Sequence, residues 1–381
     1  MKFKDVLSKV FDYRGKTPKK LGLDWTENGD ILAISAKNIK KQQLVNLDKS
    51  HRGDEGLYHV WMKDGDLQPG DVLLTSEAPL GESYQVKHGD RFIVSQRVFG
   101  LRPNTNLVDV DYFAAYLSSN LFRKLLDSKA TGTTVLGIKQ SELLNLDIEL
   151  PDINTQKKIG TLIRSLNAKI EITQLINDNL AELITVMFDQ SKDAWPTAAL
   201  GSLLHPESNS IQKKEQKKAR FLNTGDVTNG VFNNVDLRAT DSMPGQAKKL
   251  INKDDILYSE IRPVNRHFGL VRLDKPEEYV VSTKLMVLRR NEDVQLPVEY
   301  LYFLLTSVGM IREMQFEAES RSGTFPQITF DVIKGYQVPV PPTNHPILGL
   351  IKTAINNKID NDTESALLAE ARDTLLNELL H

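Results

Sequence analysis

The sequence has no cysteine, which excludes disulfides, thiolate metal sites and cysteine nucleophiles. It has no run approaching the roughly 20 apolar residues that a membrane span requires. The N-terminal MKFKDVLSKV lacks the apolar centre of a secretory signal, so a cytoplasmic location is expected. Charge of one sign is scarce as well. Lys and Arg number 48 against 50 Asp and Glu, a net charge of −2, so composition neither supports nor excludes a nucleic-acid partner. The motifs of several chemistries are missing too. No Gly-x-x-x-x-Gly-Lys-Ser/Thr loop, Gly-x-Gly-x-x-Gly or His-Glu-x-x-His occurs. The Pro341-Pro342 pair has no Asn or Asp before it and Thr343 after it, unlike an amino-methyltransferase motif. Asp254, Asp255 and Glu260, with Arg262, suggest a metal-dependent nuclease, but the counterpart Gly70, Asp71 and Glu77 lacks the acidic pair. Strand-end turns explain both. No catalytic residue, metal or cofactor is expected.

What the sequence does contain is a repeat. ILAISAKNIKKQQLVNL from 31 is matched by FLNTGDVTNGVFNNVDL from 221, and LQPGDVLLTSEAP from 67 by LINKDDILYSEIRP from 250. FIVSQRVFGLRP from 92 is matched by YVVSTKLMVLRR from 279, and VDYFAAYLSSNLFRKLL from 110 by VEYLYFLLTSVGMIREM from 298. GTTVLGIKQSELLNLDIELP from 132 is matched by GTFPQITFDVIKGYQVPVP from 323. Five blocks in one order, with an offset that drifts by a few residues, indicate one fold written twice. DVLLTS, RFIVSQRVFGL, DILYSE and YVVSTKLMVL read as alternating strands between Gly, Asp and Asn turns. Residues 110–126 and 298–314 carry the i, i+3, i+4 spacing of helices. Each repeat is therefore expected to be an α+β domain.

Each repeat runs on into a helix. From Asn154 to Gln190 the apolar positions Ile159, Ile163, Leu166, Ile170, Thr173, Ile176, Leu180, Leu183 and Met187 recur at about 3.5 residues, the coiled-coil period. At about 1.5 Å per residue this is a rod of roughly 45–55 Å. Residues 347–380 resume a helical pattern, and LGLIKTAINNKID mirrors IGTLIRSLNAKIE. Its seam is interrupted by Asn356, Asn357, Asn361 and Asp362. A long helix with an apolar stripe needs a surface to bury it, so the second rod is expected to be the antiparallel partner of the first. Ile163, Leu166, Ile170, Leu180 and Leu183 are the expected seam.

This arrangement resembles the specificity subunits of Type I restriction–modification systems over the whole chain. The resemblance is carried by Gly15-Lys16-Thr17-Pro18, the repeated Gly-Asp-Val and Asp-Asp-Ile strands, the Gly-Thr segments at 132 and 323, and Leu150-Pro151 with Gln156 and Ile159. It implies target recognition domains at 1–153 and 193–343, and long spacer helices at 154–192 and 344–381 packed as an antiparallel coiled coil. It implies a non-catalytic subunit that reads a split, asymmetric sequence in double-stranded DNA. It implies two modification subunits carrying adenine methyltransferase chemistry, with motor-nuclease subunits able to join. Two readers on one side of a duplex need centres about 34–36 Å apart; rods of roughly 45–55 Å are long enough to hold them there with their ends overlapping the domains, leaving an unread gap of roughly 5–8 base pairs.

Base edges and phosphates are met by charged, amide and hydroxyl side chains on loops and strand ends. In the first repeat the candidates are Lys16, Thr17, Lys19, Lys20, Lys37, Asn38, Lys40, Lys41, Arg91, Gln96, Arg97, Thr133, Thr134 and Lys139. In the second they are Lys213, Lys214, Thr224, Asp226, Asn229, Arg262, Arg266, His267, Lys284, Arg321, Thr324 and Gln327. Gln96-Arg97 and Thr283-Lys284 occupy equivalent positions with different side chains, as two readers of different bases require. Two other readings stay open: a scaffold that assembles partners without reading DNA, and an enzyme without a known motif.

Overall fold

The computed structural model describes residues 1–132, 135–212, 214, 216–321 and 326–379, the side chain of Arg321 excepted. It divides into one unit of Met1–Ile170 with Leu367–His381 and another of Glu171–Ala366. No helix among the described residues is long and apolar enough to cross a membrane.

In the first unit a four-stranded antiparallel sheet runs in the order Leu7–Asp12, Val98–Pro103, Val72–Thr75, Ser83–Gln85. Beside it Ile31–Ile34 pairs antiparallel with Arg52–Gly53 and parallel with Phe92–Val94. Strand Val72–Thr75 was expected to alternate, but all four of its residues are buried. The reason is that both faces are covered. Val72 and Leu74 join Tyr112, Phe113, Tyr116 and Phe122 of helices Val110–Leu117 and Asn120–Lys129, whereas Leu73 joins Tyr58, Trp61 and Ile93. A central strand with cover on both sides reads as a continuous apolar run. The helices are capped by Asp109 and Ser119, which accept from Tyr112 N and Phe122 N.

The second unit repeats the plan. Leu204–Glu207, Leu285–Arg290, Ile256–Ser259 and Phe268–Leu270 form the four-stranded sheet. Lys218–Leu222 pairs parallel with Tyr279–Ser282, between Leu237–Ala239 and Ala247–Leu250. Helices Val298–Thr306 and Val308–Arg321 follow. Both units hold a buried carboxylate paired with a partly exposed arginine at the same place. Asp71 accepts from Arg102 Nε and Nη2 at 2.9 and 2.8 Å, and Asp255 from Arg289 Nε and Nη2 at 2.7 and 2.9 Å. These buried carboxylates also cap turns, accepting from Gln68 N and Asn252 N. Asp255 is thus engaged inside the sheet.

The long helices span Ile153–Ser191 and Pro346–Leu379. In the first unit Ile159, Ile163 and Ile170 are buried and Leu166 is half-buried, with Leu376 in the same core as Ile163. In the second unit Leu180 is half-buried, but Leu183 is 54% exposed and Ile176 46% exposed. Asn177 and Ile184 are buried in their stead. The expected membership of Leu183 is therefore corrected. Steps of four and three continue from Thr173 through Asn177, Leu180 and Ile184, and the face they define takes in a polar residue. Asn177 is tolerated there because it donates to Asp362 Oδ1 at 3.0 Å and accepts from Asn361 Nδ2 at 2.7 Å. Of the four residues that interrupt the seam of the second helix, Asn361 and Asp362 are thus partners of Asn177, whereas Asn356 donates to Glu299 Oε1.

Candidate nucleic-acid interface

Gln96 and Arg97 sit where the chain leaves the three-stranded mixed sheet at Val94 and enters the antiparallel sheet at Val98. Ser95 N donates to Ile34 O at 2.9 Å and Ser76 N to Arg97 O at 2.8 Å, so both ends of the crossing are held. Gln96 and Arg97 themselves are exposed. Arg97 has φ +65°, a left-handed conformation that L residues adopt at a cost and that concentrates at functional sites. Arg97 Nε pairs with Glu77 Oε1 at 2.9 Å.

Two hollows flank this crossing. One, of about 540 Å³, is lined by Arg14, Glu77, Gln96, Arg97 and Lys139. Arg14 is fixed there by Asp12 at 2.8 and 2.7 Å and lies over the Phe99 ring. The other, of about 230 Å³, is lined by Lys16, Thr17, Lys19, Trp25, Lys37 and Gln96. Trp25 stacks on His51 with ring centroids 5.0 Å apart. Lys16 donates to Trp61 O at 2.9 Å, and partial burial holds its ammonium below the ordinary lysine value. Lys19 and Lys37 are exposed cations on the rim, and Lys20 donates to Gly15 O at 2.9 Å.

The structure separates other candidates from this crossing. Asn38 is 2% exposed; its amide donates to Ser50 Oγ and Val45 O and accepts from Ser35 Oγ at 2.8 Å. It staples the loop that follows Ile34, and its assignment to DNA is corrected. Arg91 is clamped by Glu55 and lies over the Tyr58 ring at 4.2 Å. Lys40 and Lys41 are exposed on a hairpin, and Lys41 lines a hollow with Glu82, Arg123 and Arg372. Thr133 and Thr134 lie outside the described residues, as do Lys213 and Thr324 and the side chain of Arg321.

In the second unit the same crossing is anchored by Glu260 N donating to Lys284 O at 2.9 Å, and Lys284 is half-exposed. Gln327 bridges to Ile261, and Arg262 N donates to Pro326 O at 3.2 Å. Arg262 has φ +46° and Arg266 φ +55°, both exposed. Asn229 N donates to Arg266 O at 2.7 Å, and His267 Nδ1 lies 3.0 Å from Thr228 Oγ1, so turns 224–229 and 262–267 form one patch. Asp226 accepts from Asn223 N at 2.9 Å and closes the turn that also holds Thr224. Lys214 is exposed apart from these contacts. Glu77, Arg14, Trp25 and His51 were not among the sequence candidates. For Glu77 the available signal was its replacement by Ile261 at the equivalent position of an otherwise matching strand end.

Comparison with known proteins gives these features a context. Residues 1–182 and 193–368 each match the model of the Type I restriction modification DNA specificity domain. The chain is similar to the Type I restriction enzyme HindI specificity subunit of Haemophilus influenzae, 41% identical over 172 residues. That stretch is 45% of this chain and 37% of the relative's length. It is also similar to the MjaIX specificity subunit of Methanocaldococcus jannaschii, 22% identical across 96% of this chain and 89% of that protein. In fold it matches a crystal structure of a Type I restriction–modification S subunit from M. genitalium, with TM-score 0.60 and 15% identity. That match covers 100% of this chain and 95% of the other.

Proposed function

Because the chain belongs to the Type I restriction–modification DNA specificity family, we propose that it reads a split, asymmetric target in double-stranded DNA and leaves the chemistry to partner subunits. Residues 1–153 and 193–343 are the two target recognition domains. The observation that carries this reading is the duplicated crossing between sheets. One frame presents Gln96-Arg97 in the first unit and Thr283-Lys284 in the second. Equivalent positions with different donors suit two readers of different base edges.

The long helices, 154–192 and 344–381, serve as an antiparallel coiled-coil spacer in this reading. Support comes from the Asn177 contacts with Asn361 and Asp362, and from Arg372 Nη1 donating to Asn167 Oδ1 at 3.0 Å. The pairing of 177 with 362 and of 167 with 372 runs in opposite senses along the two helices. Two adenine methyltransferase subunits dock on this assembly, and motor-nuclease subunits join it. Ile172, Leu175, Ile176, Leu183 and Val186 leave an apolar stripe exposed on the first helix, which suits a helix of a partner.

The test is to express the chain with its methyltransferase partner and map methylated adenines across a genome. A two-part target with an unread gap is expected. Exchanging residues 1–153 for those of a relative is expected to change one part and spare the other. Specific methylation by the partner without this chain, or both parts changing together, overturns the reading.

A further inference from the structure

We propose that Glu77 and Arg97 read one guanine–cytosine pair as a unit, Arg97 through guanine O6 and N7 and Glu77 through the cytosine N4 amino group. The inference rests on the reading above, that this face meets DNA. Arg97 and Glu77 form an ion pair whose near approach is Nε to Oε1 at 2.9 Å. Neither Arg97 Nη1 and Nη2 nor Glu77 Oε2 makes a hydrogen bond to a described residue. A guanidinium engaged through Nε keeps its Nη1–Nη2 edge, whose two parallel N–H bonds match the two acceptors of guanine. The second carboxylate oxygen matches the donor that cytosine presents in the major groove. Both side chains reach solvent, at 55% and 39% exposure, so a duplex can approach them.

The pair is held in place from behind. Ser76, next to Glu77, donates through N to Arg97 O at 2.8 Å and accepts through O from Ile138 N at 2.9 Å. These bonds tie three chain segments together and keep Arg97 in its left-handed conformation. The second unit has the same two anchors, Glu260 N to Lys284 O at 2.9 Å and Ile328 N to Glu260 O at 2.8 Å. There Lys284 stands at the position of Arg97 and Ile261 at that of Glu77. An ammonium is a point charge without a bidentate edge, and isoleucine accepts nothing. The Arg–Glu reading therefore belongs to the first repeat alone.

The test uses the full chain expressed with its methyltransferase partner in cells free of other methylation, with the methylated sequence mapped. Wild type is expected to require G·C at one position in the part of the target read by residues 1–153. Glu77→Ala and Arg97→Lys are each expected to relax that position by about tenfold or more, with the other part and the gap unchanged. Glu77→Gln, isosteric and uncharged, is expected to do the same at unchanged melting temperature. An unaltered target in Glu77→Gln and Arg97→Lys, relaxation at an A·T position, or relaxation in both parts overturns the proposal. If the wild-type chain directs no sequence-specific methylation, the DNA reading itself fails. If it does and the variants match it, only the Glu77–Arg97 pair fails.

Discussion

Asn177 of the first long helix donates through Nδ2 to Oδ1 of Asp362 on the second at 3.0 Å, and Asn177 is buried to 6% exposure. A polar residue inside an apolar seam fixes register, because any slip leaves it without partners. Asn177→Ala removes the partner of Asn361 Nδ2 and of Asp362 Oδ1, while Asp362 Oδ2 keeps Lys358, and is expected to lower stability by about 1–3 kcal/mol. Urea denaturation checks this, and an unchanged midpoint would show that water replaces the contact.

The Asp255–Arg289 pair is expected to matter more. Breaking a fully buried ion pair costs about 3–5 kcal/mol. Arg289 is 30% exposed and keeps Glu207 at 2.8 Å, so Asp255→Ala is expected to cost about 2–4 kcal/mol. Asp71→Ala, the equivalent change beside Arg102, is expected to fall in the same range. Guanidinium unfolding of both variants measures it.

Alkali is expected to destabilise the fold. Burial pushes Tyr116 up to about 12, and burial with the hydrogen bond to Asp66 pushes Tyr58 up to about 12. In the unfolded chain tyrosine titrates near about 10. Above that pH the unfolded state sheds protons that the folded state retains, so stability falls as pH rises from about 10 to 12. Below about 10 both states are protonated and these groups contribute no slope. Denaturation midpoints at pH 8 through 11 test this, and Tyr58→Phe is expected to flatten the decline.

Base readers and phosphate contacts separate by assay. Lys284→Ala is expected to relax selectivity by about 1–3 kcal/mol at one position in one part of the target. Lys19→Ala is expected to weaken binding to all sequences alike and to reduce the salt slope by about one. Asn38→Ala is expected to lower the melting temperature and leave the target sequence intact, since its amide serves the loop. Binding to target and random duplexes across a salt series distinguishes the three.

The sequence by itself determined the repeat, the strands and helices within it, and the two long helices. These follow from local periodicity and from five blocks in matching order, which survive drift in loop length. It also placed Gln96-Arg97 and Thr283-Lys284 at equivalent positions. The tertiary structure decided which faces are covered. Ile176 and Leu183 are as apolar as Ile184, yet one further step of four turns Asn177 and Ile184 inward, because Asn361 and Asp362 wait there. Asn38 looked like a reader in a basic loop until Ser35, Val45 and Ser50 closed around its amide. Glu77 reads in the sequence only as an acidic turn, because Arg97 follows 20 residues later and is brought beside it only by the pairing of Val72–Thr75 with Val98–Pro103. Burial and pairing depend on groups remote in the chain, and periodicity reports only on neighbours along it.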